Sequence, residues 1–235
     1  MAKISVERLA TVRLLEGLPE RDLQDLEQRG RWRRYVSEEQ ILDRDSDTRD
    51  VFFVIEGSVE VVNFSLSGRE VAYGQVRAGG YFGEMAAIDG RRRSANVVAN
   101  EDSVVFVVPP EAFMDILNSH ASAAMVVLRR LAHIVRTADD RIMDLSTLRA
   151  VQRVYVEVLR LAVEIEPDVW QIKPMPTQRD IARRASTSRE TVARVLSQLA
   201  KGGVVERKGR TMRILDHYRL EDLAEAGEGD DDLVR

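Results

Sequence analysis

The 235-residue chain has no cysteine, which excludes disulfides, thiolate zinc sites and cysteine-held iron–sulfur clusters. Its three histidines, His120, His133 and His217, are scattered, so their spacing gives no metal site and none is expected. No apolar run approaches the ~20 residues that a membrane span requires. The amino terminus lacks the apolar core of a signal peptide. A cytoplasmic protein with no membrane partner is therefore expected by elimination. No Walker loop and no serine, histidine and carboxylate arrangement can be found, so an enzyme is not expected. What remains is a chain with 44% apolar and 31% charged residues, long enough for two domains with their own cores.

The net charge of −4 hides a segregation. Residues 150–219 hold 14 Lys and Arg against 8 Asp and Glu, whereas residues 1–149 hold 20 against 24 and residues 220–235 hold 1 against 7. One basic module thus lies between acidic segments, as a phosphate-binding surface requires. Within it, Val192, Val195, Leu196 and Leu199 repeat at i, i+3, i+4, i+7, the stripe of an α-helix. At 100° per residue, Arg189, Glu190, Arg194 and Ser197 fall on the opposite face, within an arc of about 140°. A shorter helix is expected over 177–184, with Ala185-Ser186 as a tight connection. Ala185 stands where a turn glycine is common, with little consequence expected. After the second helix, residues 204–215 form an expected strand, Lys-Gly-Arg turn and strand, a hairpin with a basic tip. Together these elements make a helix-turn-helix candidate with a wing. A blander origin for the same residues is a T-x-x-E capping box between Thr187 and Glu190, plus a surface Glu190–Arg194 pair worth about 0.2–0.5 kcal/mol.

Between residues 35 and 108 the pattern changes to short strands punctuated by glycine. Val51 to Ile55 is fully apolar, Val59-Glu60-Val61 alternates, and Ser67-Gly68-Arg69 is expected to turn a hairpin between 61–64 and 71–73. Val104 to Val108 is another apolar run, ended by Pro109-Pro110. Roughly eight such strands suggest a closed β-roll or jelly roll. Inside it lies the segment from Gly80 to Ala95. There Gly83 would let backbone N–H groups approach an anion, Arg91, Arg92 and Arg93 offer planar forks suited to phosphate, and Ser94 adds a hydroxyl. Glu84 would be repelled by phosphate and suits a sugar hydroxyl instead. By spacing alone, a glycine–glutamate turn followed by three arginines is more often a solvated loop.

Phe82-Gly83-Glu84 followed by Arg93-Ser94-Ala95 resembles the phosphate-binding cassette of cyclic-nucleotide-binding domains. The run Ser188-Arg189-Glu190-Thr191-Val192 through Arg194 is similar to the recognition helix of the cyclic AMP receptor protein (CRP/FNR) family of regulators. The resemblance spans about residues 12–215 and implies an α+β fold: an amino-terminal β-roll (1–110), a long dimerisation helix (111–149) and a carboxy-terminal winged helix-turn-helix (150–219). The acidic tail, 220–235, is expected to be disordered. The resemblance further implies cyclic AMP or cyclic GMP as allosteric ligand. Glu84 would hold the ribose 2′-hydroxyl and Arg93 the cyclic phosphate, with Gly83, Met85, Ser94 and Ala95 completing the cassette. Arg93 is preferred to its two arginine neighbours because Ser-Ala follows it. Arg189, Glu190 and Arg194 would read base edges, as arginine pairs with guanine and glutamate with cytosine. Thr177, Ser188 and Lys208 would hold phosphates.

Val127, Leu131, Val135, Ala138, Ile142, Leu145 and Leu148 form a near-heptad seam, expected to pair two copies as a homodimer. The family's purine-contacting pair would fall at Ala138-Asp139, flanked by Thr137 and Asp140. An aspartate there could accept from guanine N1–H and N2–H, hence the expectation that cyclic GMP binds as well. The implied partners are a palindromic double-stranded operator, a second copy and RNA polymerase. The alternative is an effector-independent regulator of the same fold.

Overall fold

The computed structural model describes residues 2–64 and 70–225. The chain forms two compact units, Met1–Val135 and Arg136–Arg235. The boundary falls inside one 27-residue helix.

The first unit opens with helices α1 (Ala2–Leu9) and α2 (Glu20–Arg29), which no feature weighed in the sequence had indicated. Eight strands follow among the described residues: β1 (Arg31–Tyr35), β2 (Gln40–Leu42), β3 (Val51–Glu56), β4 (Ser58–Phe64), β5 (Glu70–Arg77), β6 (Tyr81–Phe82), β7 (Asn96–Ala99) and β8 (Ser103–Val108). They form two antiparallel four-stranded sheets, in the orders β1-β8-β3-β6 and β2-β7-β4-β5. This is the expected roll. The apolar run in β3 is explained by burial on both faces. Phe52 and Val54 pack between the sheets with Val59, Val97, Val105 and Val107. Val51, Phe53 and Ile55 pack on the other side, against Leu9, Leu14, Leu26 and Phe113. In β4 the alternation breaks because the register to β5 shifts between Val61 and Val62, so buried residues come in pairs. Phe64 pairs with Glu70, and the expected turn at 67–69 lies outside the described residues.

Three sequence expectations need correction here. The Gly80–Ala95 segment is not all loop, since α3 (Glu84–Asp89) lies within it. The single helix expected over 111–149 is two, α4 (Pro110–Ser119) and α5 (Ala121–Thr147), because His120 is extended at φ −128° and ψ 100°. The first seam positions, Val127 and Leu131, pack into the unit's own core; Val127 is 3% exposed, whereas Leu128 is 56% exposed.

The second unit contains the rest of α5, α6 (Ala150–Leu161), α7 (Gln178–Arg184), α8 (Arg189–Lys201) and a sheet of β9 (Val163–Glu166), β10 (Val169–Ile172), β11 (Val205–Lys208) and β12 (Thr211–Ile214). The sheet order is β11-β12-β10-β9, so the wing hairpin is extended by a second hairpin that the sequence reading passed over. Val192, Val195 and Leu199 are buried with Val154, Val158, Ile181 and Leu220, which accounts for the apolar stripe of α8. The tail expectation fails in part. Residues His217–Glu225 form α9, with Leu220, Leu223 and Ala224 buried at i, i+3, i+4. Charge composition had masked that short apolar stripe; the remainder of the tail lies outside the described residues. Among the described residues no helix is long and apolar enough to cross a membrane.

Candidate ligand pocket and nucleic-acid interface

Strand β6 runs into Gly83, which adopts φ +84° and starts α3 at Glu84. Left-handed backbone favours glycine, and here close approach forbids a side chain as well. A Cβ at Gly83 would sit 2.7 Å from Arg93 Nη1 and 3.0 Å from the Asp50 carbonyl oxygen. Arg93 is 4% exposed, while Arg91 and Arg92 are exposed and Arg92 pairs outward with Asp47 at 3.0 Å. Geometry thus singles out Arg93 among the three. Its Nη1 donates to the Gly83 carbonyl at 2.8 Å, its Nη2 to the Asp50 carbonyl at 2.7 Å and its Nε to the Thr48 hydroxyl at 3.1 Å. These bonds use three of the five guanidinium N–H groups. None of the three acceptors is charged. Burial pushes the Arg93 pKa down, against the pull of Asp50 and Glu84. A buried cation with N–H groups to spare and only neutral acceptors is a setting in which an anion gains most.

Glu84 is also buried, and its Oε1 lies 3.6 Å from Nε of Arg130 on α5. Arg130 in turn stacks 4.5 Å over the ring of Tyr81. The Tyr81 hydroxyl has no hydrogen-bond partner among the described residues, and burial raises its pKa to about 12. Met85 and Ser94 meet, the hydroxyl pointing at the thioether at 3.7 Å. The backbone at Ser94 is tied to Asn63, and Ala95 is half-buried beside it. The structure therefore brings together Gly83, Glu84, Met85, Arg93 and Ser94. Arg130 and Tyr81 were missed. Arg130 stands three positions after buried Val127, hence on the same helix face, which was the available signal. Thr137, Ala138, Asp139 and Asp140 are exposed on α5 in the second unit. Asp140 lies close enough to Arg160 of α6 to help raise its pKa, behind the larger effect of the Asp144 hydrogen bond.

In the second unit α7 starts at a capping box. The Thr177 hydroxyl accepts from Asp180 N at 3.2 Å, and Asp180 Oδ2 accepts from Thr177 N at 3.0 Å. Helix α8 is capped by Ser188, whose hydroxyl accepts from Thr191 N at 3.1 Å. The Thr187–Glu190 box is therefore not the cap of α8. Arg189, Glu190 and Arg194 are exposed, Glu190 and Arg194 opposite the buried stripe and Arg189 at its flank in the first turn. The Glu190 carboxyl is held below its ordinary range, first by its own backbone N–H and then by the Ser188 hydroxyl. The left-handed residue of the turn is Ser186, at φ +50°; Ala185 is at φ −76° and buried, so the glycine-like position lies one residue later than expected. In the wing, Gly209 at φ +60° closes a two-residue turn between Lys208 and Thr211. Lys208 pairs with Glu206 at 3.1 Å.

Residues 32–120 match the model of the cyclic nucleotide-binding domain, and residues 152–223 match the Crp-like helix-turn-helix domain. The chain is 32% identical over 174 residues to the cyclic AMP receptor protein of Thermus thermophilus, covering 74% of this chain and 79% of that one. It is 30% identical over 188 residues to the cAMP-activated global transcriptional regulator Vfr of Pseudomonas aeruginosa, covering 77% and 87%. The Thermus thermophilus catabolite activator protein superposes with a TM-score of 0.52 at 27% identity, over 91% of this chain and 98% of that one. A CooA mutant from Carboxydothermus hydrogenoformans superposes with a TM-score of 0.72 at 20% identity, over 84% and 88%, and shows the shared fold.

Proposed function

From the premise that the chain belongs to the CRP/FNR family of DNA-binding transcription regulators, and is not an enzyme, we propose that it is a homodimer switched by cyclic AMP or cyclic GMP. The observation that carries this is Arg93: buried, hydrogen-bonded only to uncharged acceptors, and packed against a glycine where a Cβ would collide with its guanidinium. The cyclic phosphate takes the remaining Arg93 N–H groups, with Gly83, Met85, Ser94 and Ala95 around it. Glu84 accepts from the ribose hydroxyl, and Arg130, with its Nε 3.6 Å from Oε1, orients that carboxylate. Thr137, Ala138, Asp139 and Asp140 form the purine side, and the Asp139 carboxylate suits guanine N1–H and N2–H.

Exposed Leu128, Val135, Ile142 and Leu145 support the dimer, since they repeat at 7, 7 and 3 along α5. In the dimer two α8 helices enter successive major grooves about 34 Å apart on a palindromic operator. Arg189, Glu190 and Arg194 read base edges, while Ser188, Thr177 and Lys208 hold phosphates. RNA polymerase is the further partner of such a regulator, and the cytoplasm its compartment. The domain limits of 1–110, 111–149 and 150–219 belong to the same proposal, with α9 carrying the last of them on to Glu225. The nucleotide acts by binding the DNA-competent state more tightly, with a coupling of about 1–3 kcal/mol.

Calorimetry with each nucleotide, paired with DNA mobility shift, tests the proposal. Arg93→Ala should weaken nucleotide binding about 10- to 100-fold, the worth of charge-assisted hydrogen bonds. It should also abolish nucleotide-dependent DNA shift. Equal shifts in every lane would favour the effector-independent alternative. No heat with cyclic GMP would remove the role given to Asp139.

A further inference from the structure

Two arginines converge on the turn of the helix-turn-helix. Helix α7 ends at Arg184, and like any helix it leaves its last carbonyls without helical partners. Arg153 of α6 donates through Nε to the Ala185 carbonyl at 2.9 Å, through Nη2 to the Ser186 carbonyl at 3.2 Å and through Nη1 to the Leu148 carbonyl at 2.8 Å. Arg141 of α5 donates through Nη2 to the Arg183 carbonyl at 3.2 Å. It also reaches the Ser186 hydroxyl through Nη2 at 2.9 Å and Nε at 3.3 Å. Positive charge at this carbonyl-rich helix end is favourable in itself. The Ile181, Ala182 and Arg183 carbonyls already accept from N–H groups of the turn, and Arg153 holds the turn's own carbonyls. Arg141 adds a bond to one side chain, Ser186, and comes from a different helix.

Ser186 is the residue at φ +50°. A side chain there carries a steric strain that glycine avoids. The hydroxyl is what a glycine would lack, and the guanidinium of Arg141 is what that hydroxyl meets. Two residues later Ser188 caps α8, and Arg189 and Glu190 occupy its first turn. The position of the turn therefore sets where the first base-reading residues begin.

We propose that the Arg141–Ser186 pair is a latch that tethers the turn to α5 and fixes the recognition helix, with Arg141 as a positioning residue for sequence reading. The inference rests on the assignment of α8 as the reading helix. Base contacts are short and directional, whereas phosphate contacts tolerate displacement. A loosened latch should therefore lower operator binding more than binding to unrelated DNA.

The test compares wild type, Arg141→Gln, Ser186→Gly and the double variant in the full chain. Affinity is measured at one salt concentration for a duplex selected by wild type from random sequence and for its scrambled counterpart. Each single variant should lose about fivefold in operator affinity and less than about twofold on scrambled DNA. The double variant should lose little more than either single one, as residues in direct contact do. Ser186→Gly should keep the wild-type melting midpoint, because glycine accepts φ +50°, so loss of folding cannot mimic the effect. Amide exchange in Arg141→Gln should show Ser186 and Thr187 less protected, with the amides of α8 unchanged. Additive losses, equal losses on both duplexes, or unchanged turn protection would each overturn the latch. If wild type selects no preferred duplex, the assignment of α8 falls instead, and amide exchange still decides the latch.

Discussion

Gly83 and Arg93 define each other at the scale of single residues. The glycine lies at φ +84° with no room for a Cβ, and the guanidinium that closes over it donates to its carbonyl. Gly83→Ala should displace the Arg93 fork, lowering cyclic-nucleotide affinity at least about tenfold and stability by roughly 1–3 kcal/mol. Calorimetry and urea unfolding would read the two effects, and an alanine variant with wild-type affinity would detach Gly83 from the site. The residue types of this pair were legible, since glycine and arginine are the natural means of meeting a phosphate. Which of three consecutive arginines turns inward was not settled by periodicity, because a loop has none. The choice depends on acceptors 43–45 positions away, at Asp50 and Thr48. Ser186 eluded the sequence for a related reason. Its φ is +50° and its hydroxyl meets Arg141, a partner that no local pattern names.

Elements were legible in proportion to the length of their apolar stripes. Helix α8 has a four-position stripe and lies where it was expected, and the apolar runs of β3 and β8 became doubly buried strands. Strand β9 reads Val163-Glu164-Ile165-Glu166, an alternation that the sequence reading passed over, yet all four residues are exposed, so no buried face accounts for it. The outward face of α8 supports a contrast between reading and holding. Glu190→Ala should relax preference at one base pair, with about 1–3 kcal/mol lost at that position. Lys208→Ala should weaken all sequences evenly and flatten the salt slope by at most about one, since Glu206 already neutralises part of its charge. Binding-site selection and a salt titration separate the two; a sequence-dependent effect of Lys208 would contradict its role. Helix α6 contributes a pH effect. Burial raises the Glu157 pKa above its ordinary 4.5, outweighing Arg184 and Arg160. A raised folded-state pKa means that this carboxyl's contribution to stability is complete below 4.5 and is lost as pH rises through the folded value. Relative to Glu157→Gln, wild type should therefore lose urea resistance as pH is raised across that window. Parallel pH profiles for the two proteins would refute the burial argument.

For the whole molecule, the order of parts was written in charge and periodicity: an acidic roll, a long helix, a basic reader. The registration of the long helix was less legible, because a heptad stripe does not say whether it faces its own core or a second copy. The structure divides that stripe. Val127 and Leu131 belong to the unit's own core, while Val135, Ile142 and Leu145 remain exposed, Ile142 at 61%, as does Leu128 outside the stripe. Burying a side chain of this size fully is worth about 1.5–3 kcal/mol, and in a parallel pair every position counts twice. Ile142→Glu removes that contribution and sets two carboxylates against each other across the two-fold axis. The variant should sediment as a monomer at micromolar concentration, where wild type is expected to sediment as a dimer. Operator affinity should fall by about 100-fold or more, because the second half-site is no longer held at high effective concentration by the first. Scrambled DNA, which each reader meets alone, should be affected far less. Nucleotide binding should persist in weakened form, since the phosphate partners Arg93, Gly83, Thr48 and Asp50 lie in the roll, whereas the purine side assigned to Thr137–Asp140 lies on α5 next to the substitution. A glutamate variant that still dimerises would mean that α5 is not the seam. A monomer that still grips the full operator like wild type would mean that pairing does not set DNA affinity.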